Sequence, residues 1–200
     1  MLIALYENAT PFEYRNLEDP AVMAELAMLS PLGRFPVLVD GERTLLESTA
    51  IIEHLQLHAP GPVRLIPAGD AGTEARMFDR VFDHYVMTPM QKIVGDRLRP
   101  EAGRDAYGVA EARSSLDRIY PWLDARLGRH TWAVGEEFTL ADCAAAPALF
   151  YADWTHPIPG HCVNLRGYRA RLLARPSFAR AVDEARPFRG YFPLGAPDRD

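Results

Sequence analysis

Residues 31–48 read "PLGRFPVLVDGERTLLES", and their reading decides the fold of the first part of the chain. Pro36 stands at the mouth of a β-branched run, Val37–Asp40. Proline cannot donate to a β-ladder, so it marks an edge or a tight backbone approach. A cis Phe35–Pro36 bond would turn the Phe35 backbone outward and offer its N–H and C=O to an extended ligand. A trans bond would simply open an edge strand, and cis accounts for only about 5–6% of X-Pro bonds. Asp40-Gly41 is a hairpin turn signal, and the chain returns through "ERTLLE" as a second strand. Glu47-Ser48 closes that strand and opens a helix, "STAIIEHLQLH". Ser48 is expected as its N-cap, where the N–H groups of a first helical turn form an anion site. Glu47 beside it suits an ammonium, so the pair would clamp the zwitterionic end of an amino acid. The competing reading is a capped helix start facing water.

Upstream, "MLIALYEN" is apolar at helical spacing but has no Ser, Thr, Asp or Asn ahead of it as a cap. "TPFEY" reads as a short strand. "DPAVMAELAML" is a helix with Pro20 near its first turn, where a missing N–H costs nothing. Strands interleaved with helices imply an α/β layer. Downstream, "APGPVRLIPAGDAG" is rich in Pro and Gly and reads as a linker. Beyond Gly72 the strand signal fades. Met77, Phe78, Val81, Phe82, Tyr85, Val86, Met90, Ile93 and Val94 form a helical stripe, with Pro89 expected to kink it. Val109, Ala112, Leu116, Ile119, Leu123 and Leu127 form another, with Gly128 as C-cap. Further helices are expected from about Thr139, after Asn164 and at Pro176, and the tail "RPFRGYFPLGAPDRD" is expected to be extended. The expected organisation is an α/β domain over residues 1–59, a linker over 60–73 and an all-α domain over 74–200.

Of 200 residues, 48% are hydrophobic and 24% charged, the balance of a chain that buries a real core. A net charge of −5 argues against nucleic acid or an anionic membrane surface as partner. No apolar run approaches the roughly 20 residues that span a bilayer, and no secretory signal pattern opens the chain. Two cysteines, Cys143 and Cys162, make no disulfide framework and fit a cytoplasmic setting. His54 and His58 have a metal-capable spacing, but no third ligand is evident, and a solvated helix face is the expected reading. In "FTLADCAAA", Thr139 and Asp142 make a capping box with Asp in place of Glu, and Phe138 and Cys143 are placed as a hydrophobic staple.

Taken together, "PLGRFPVLVDG", "LLESTAIIEHL" and "FTLADCAAAPAL" resemble the cytosolic glutathione transferase superfamily. That family combines Pro-x-Gly-x-x-Pro-x-Leu, a Glu/Gln-Ser at the next strand–helix junction, and a Thr/Ser-x-x-Asp box in its helical domain. All three stand here in order, with Glu47 12 positions after Phe35. The resemblance implies a thioredoxin-like α/β N-terminal domain, an all-α C-terminal domain and a homodimer. It implies that Pro36 is a cis-proline and that the Phe35 backbone pairs with the cysteinyl part of glutathione. Glu47 and Ser48 would hold the γ-glutamyl ammonium and carboxylate, and Arg34 would face the tripeptide. Tyr85 and Met90, with Met87 and Gln91, lie on the helix that in this family lines the pocket for a small hydrophobic electrophile. At helical spacing such residues equally suit a core. Tyr151 and Trp154 are open in the same way, and Asp79 and Asp83 suit a surface or a dimer interface.

The family places a strand, then a catalytic Ser, Tyr or Cys, ahead of its first helix. "MLIALYEN" matches the body of that helix, so the quoted sequence is expected to lack the first strand and catalytic loop, roughly 12–16 residues. Tyr6 falls mid-helix and is no substitute. The expected activity is glutathione conjugation to small electrophiles, or glutathione-dependent reduction or isomerisation, with glutathione as co-substrate. The alternative is a non-catalytic binding or assembly module on the same fold.

Overall fold

A computed structural model describes residues 1–200, which divide into two compact units, Met1–Ile66 and Pro67–Asp200. The first holds α1 (Leu2–Glu7), α2 (Pro20–Leu29), β1 (Val37–Asp40), β2 (Arg43–Leu46) and α3 (Ser48–His58). Its core is Ile3 and Leu5 from α1, Val22 and Leu26 from α2, and Ile51 and Ile52 from α3. Pro20 is the first residue of α2, and the Asp19 side chain accepts the Ala21 N–H at 2.8 Å as its cap.

β1 and β2 form a two-stranded antiparallel sheet in the register Val37↔Leu46, Leu38↔Leu45, Val39↔Thr44 and Asp40↔Arg43. Gly41 takes φ +59 at the first central position of the turn, the left-handed backbone that a II′-type hairpin needs there. A lone hairpin is marginal in water, and α3 steadies this one. His54 on α3 is buried, and its Nε2 lies 2.7 Å from Asp40 Oδ2 at the turn. The expected solvated face therefore holds for His58, which is exposed, and fails for His54.

Two amide side chains fasten the loop beyond α3. Asn8 Nδ2 donates to the Val63 carbonyl at 3.1 Å, and its Oδ1 accepts the Val63 N–H at 2.8 Å. Gln56 does the same for Ile66, at 3.0 and 2.8 Å. Gly61 lies so close to Asn8 that a Cβ there would fall 2.4 Å from the Asn8 Cβ. The "TPFEY" segment is not a strand. Pro11 lacks a donor, Phe12 and Tyr14 are exposed, and no ladder pairs with the segment.

The second unit is helical throughout: α4 (Gly69–Val81), a π-helical segment (Phe82–Met87), α5 (Thr88–Arg97), a 3₁₀ turn (Glu101–Gly103), α6 (Ala106–Leu127), α7 (Leu140–Thr155), α8 (Val163–Ala174), α9 (Pro176–Ala185) and a 3₁₀ turn (Arg186–Tyr191). α4 begins inside the stretch expected to be a linker. Asp70 suits the positive end of its dipole. Gly72 lets the Pro67 carbonyl oxygen sit 2.1 Å from where a Cβ would stand. The irregularity expected at Pro89 is a π-helical widening just before it. The Thr88 N–H bonds the Asp83 carbonyl, five residues back, and the Thr88 hydroxyl donates to the same oxygen at 3.0 Å.

α7 is apolar on nearly every face and is buried against α4, the π-helical segment and α8. Its capping box is present. Asp142 Oδ2 accepts the Thr139 N–H at 2.8 Å, while Oδ1 accepts the Ala133 N–H at 2.9 Å and the Tyr168 hydroxyl at 2.6 Å. Gly128 ends α6 with φ −73, so it is not a left-handed cap. A Cβ there would lie 2.6 Å from Asn164 Nδ2, so the exposed Asn164 side chain would have to turn aside. The tail is not extended. Arg186 and Arg189 stand one 3₁₀ turn apart, and the Asp200 carboxylate bridges both at 2.6 and 2.7 Å, while Arg199 pairs with Asp153 on α7.

Candidate functional site

Since Val37 pairs with Leu46, the residues just before β1 and just after β2 meet at the hairpin end opposite its turn. Arg34, Phe35 and Pro36 arrive on one side, Glu47 and Ser48 on the other. The approach to β1 is fixed by Ser30, which is buried. Its hydroxyl accepts the Arg34 N–H at 3.0 Å, and its carbonyl accepts the Gly33 N–H at 3.0 Å. Gly33 sits at φ +60, where a side chain would be strained. Ser30 was not singled out in the sequence; the Ser-Pro-x-Gly signal of a turn marks it. The Phe35–Pro36 peptide bond is cis, and Phe35 is 71% exposed.

Glu47 has φ +67 and ψ +121, a conformation that costs a non-glycine residue about 1–3 kcal/mol. Its carbonyl accepts the Ile51 N–H at 3.0 Å, which makes Glu47 the N-cap and Ser48 the first helical residue. The expectation of Ser48 as cap is corrected by one position. No side chain caps α3, so the positive end of its dipole is left to water or a ligand. Arg34 and Glu47 are exposed, Ser48 is half-buried, and none of the three side chains is engaged elsewhere in the fold. One end of the hairpin therefore gathers a cation, a carboxylate, a hydroxyl, an open helix start and an exposed backbone segment.

The other sequence candidates separate. Tyr85 lies on the π-helical segment and is 57% exposed. Met90 is buried in the helical core, as its core reading expects. Tyr151 and Trp154 form an aromatic cluster with Phe150 and Phe192. Tyr6 lies within α1 with its ring 5.9 Å from that of Phe12. Cys143 and Cys162 are both free and buried, and burial pushes the Cys162 thiol up from its ordinary value.

The N-terminal domain of glutathione S-transferases matches residues 1–63, and their C-terminal domain matches residues 83–176. Glutathione S-transferase 3 of Zea mays is 32% identical over 164 residues, covering 77% of this chain and 72% of its own. FtsZ-localized protein A of Caulobacter vibrioides is 27% identical over 186 residues, covering 88% and 82%. A Methylobacterium radiotolerans glutathione S-transferase, solved with glutathione sulfonate, superposes with a TM-score of 0.76 at 32% identity, covering 90% of this chain and 87% of its own. The hairpin, α3 and the capped α7 are thus parts of a known plan, a thioredoxin-like α/β domain followed by an all-α domain. The chain belongs to the glutathione S-transferase family.

Proposed function

We propose that this protein binds glutathione at the hairpin end and transfers its thiol to a small hydrophobic electrophile, or uses it for reduction or isomerisation. The observation that carries this reading is the unspent chemistry at Glu47-Ser48: a strained backbone holds an exposed carboxylate beside an uncapped helix start, and neither serves the fold. Glutathione has the matching groups. Its γ-glutamyl carboxylate accepts from the Ser48 hydroxyl and the first-turn N–H groups of α3. Its ammonium pairs with Glu47. The Phe35 N–H and C=O pair with its cysteinyl backbone in an extended arrangement, and Arg34 attracts its remaining negative charge. Once held, the tripeptide is oriented before any bond is made, so the thiol needs only activation and an electrophile. Neither cysteine of this chain supplies a nucleophile, since both are buried. Tyr85 is the exposed aromatic group proposed for the electrophile. The protein is proposed to act as a homodimer in the reducing cytoplasm; no helix is long and apolar enough to cross a membrane.

Calorimetric titration with glutathione tests this. Wild type should bind saturably, and Ser48→Ala should weaken binding about 10- to 100-fold, the worth of a hydrogen bond to a charged group. Unchanged affinity in Ser48→Ala would overturn the site. A second reading, binding or assembly without turnover, draws on the similarity to FtsZ-localized protein A. It would be favoured by saturable glutathione binding with no conjugation, thiol transfer or isomerisation.

A further inference from the structure

A cleft of about 410 Å³ opens in the second unit between the loop after α6 and the face of α8. None of the residues proposed to hold glutathione lines it. Its polar walls carry Arg129, His130, Asn164 and Arg171, and its one carboxylate is Glu136. Glu136 is already engaged. It accepts the Thr131 hydroxyl at 2.5 Å, and its other oxygen lies 3.8 Å from His130 Nδ1. Arg129 is exposed and has no ion-pair or hydrogen-bond partner. Arg171 donates through its Nε to the Thr131 carbonyl at 3.1 Å, and its guanidinium stands 5.8 Å from the centroid of the Tyr168 ring. Its two terminal nitrogens have no hydrogen-bond or ion-pair partner.

The floor of the cleft adds an independent observation. Gly167 lies inside α8, where glycine weakens a helix relative to alanine. Its φ is ordinary, and an added Cβ would meet only Arg171 Nη1, at 3.6 Å, an ordinary contact. Packing does not require glycine here. The missing side chain leaves space beside the Arg171 guanidinium. The start of α8 is not the attraction, because Asp124 already accepts the Leu165 N–H there at 2.9 Å.

We propose that this cleft binds a small polyanion of the phosphate class. Arg129 and Arg171 are the charge-matching donors, His130 and Asn164 flank the anion, and Gly167 leaves room for it. Two guanidinium groups facing one cleft suit an ion with several acceptor oxygens better than a single carboxylate. The protein as a whole is acidic, so general attraction of anions does not explain such binding.

Calorimetric titration of the full chain with pyrophosphate, at constant ionic strength with chloride as control, tests the proposal. Saturable binding is expected, weakened at least about tenfold in Arg129→Glu. Gly167→Leu, which fills the floor while favouring the helix, should weaken it similarly with an undiminished melting temperature. Glutathione at saturation should leave the isotherm unchanged. No saturable binding would overturn the proposal. So would equal affinity in both variants, or competition by glutathione, which would move the anion to the hairpin site.

Discussion

Glu47 shows how a residue can be set apart from the fold that holds it. Its backbone is strained, its side chain is exposed, and its carboxylate has no engagement within the fold. Glu47→Ala should therefore change stability by less than about 0.5 kcal/mol. The same change should weaken glutathione binding about tenfold or more, and a paired thermal melt and titration measures both. Asp142 is the opposite case. It is fully buried and accepts from two backbone N–H groups and the Tyr168 hydroxyl, so Asp142→Ala strands several buried donors. That substitution should cost about 3 kcal/mol, a fall in melting temperature of roughly 6–12 °C. The two residues were not equally legible. Thr139-x-x-Asp142 is a local pattern with a local cause, and the structure holds it as a capping box. The identity of the α3 cap was missed by one position, because serine's cap preference says nothing of the left-handed backbone that Glu47 adopts.

At the scale of elements, local signals served where local chemistry decides. Asp40-Gly41 marked the hairpin, Pro20 the start of α2, and the apolar periodicity the long helices. The failures share another cause. "TPFEY" has strand composition, yet a strand exists only where a ladder partner stands beside it, and here none does. The widening before Pro89 depends on which carbonyls the missing N–H leaves over. The 3₁₀ turn at Arg186–Tyr191 depends on a carboxylate from the end of the chain. That last element gives a prediction of pH dependence. Hydrogen bonding to Arg186 holds the Asp200 carboxyl below its ordinary value. A depressed carboxyl stabilises the docked tail above its unfolded pKa, and that contribution is lost as pH falls through the folded value. Hydrogen exchange should find residues 186–200 protected at about pH 5 and progressively exposed below the ordinary carboxylate range. Asp200→Asn should show weaker protection already at neutral pH.

At the scale of the molecule, three short motifs in order pointed to the family, though each alone is common. The two-unit plan followed from one change, strands mixed with helices giving way to helices alone. What the sequence left open was the burial of individual side chains. Met90 and Tyr85 share a helical stripe, yet one is core and the other exposed. Both cysteines are 4% exposed or less, so thiol reagents should label the native protein slowly and the denatured protein at once. The central claim is that the hairpin end, through Glu47 and Ser48, holds glutathione. Its most direct test is the glutathione affinity of the Glu47→Ala/Ser48→Ala double variant against wild type, each first shown to melt at the same temperature. A loss of at least about a hundredfold with the fold intact is the predicted result. An affinity equal to wild type would contradict it.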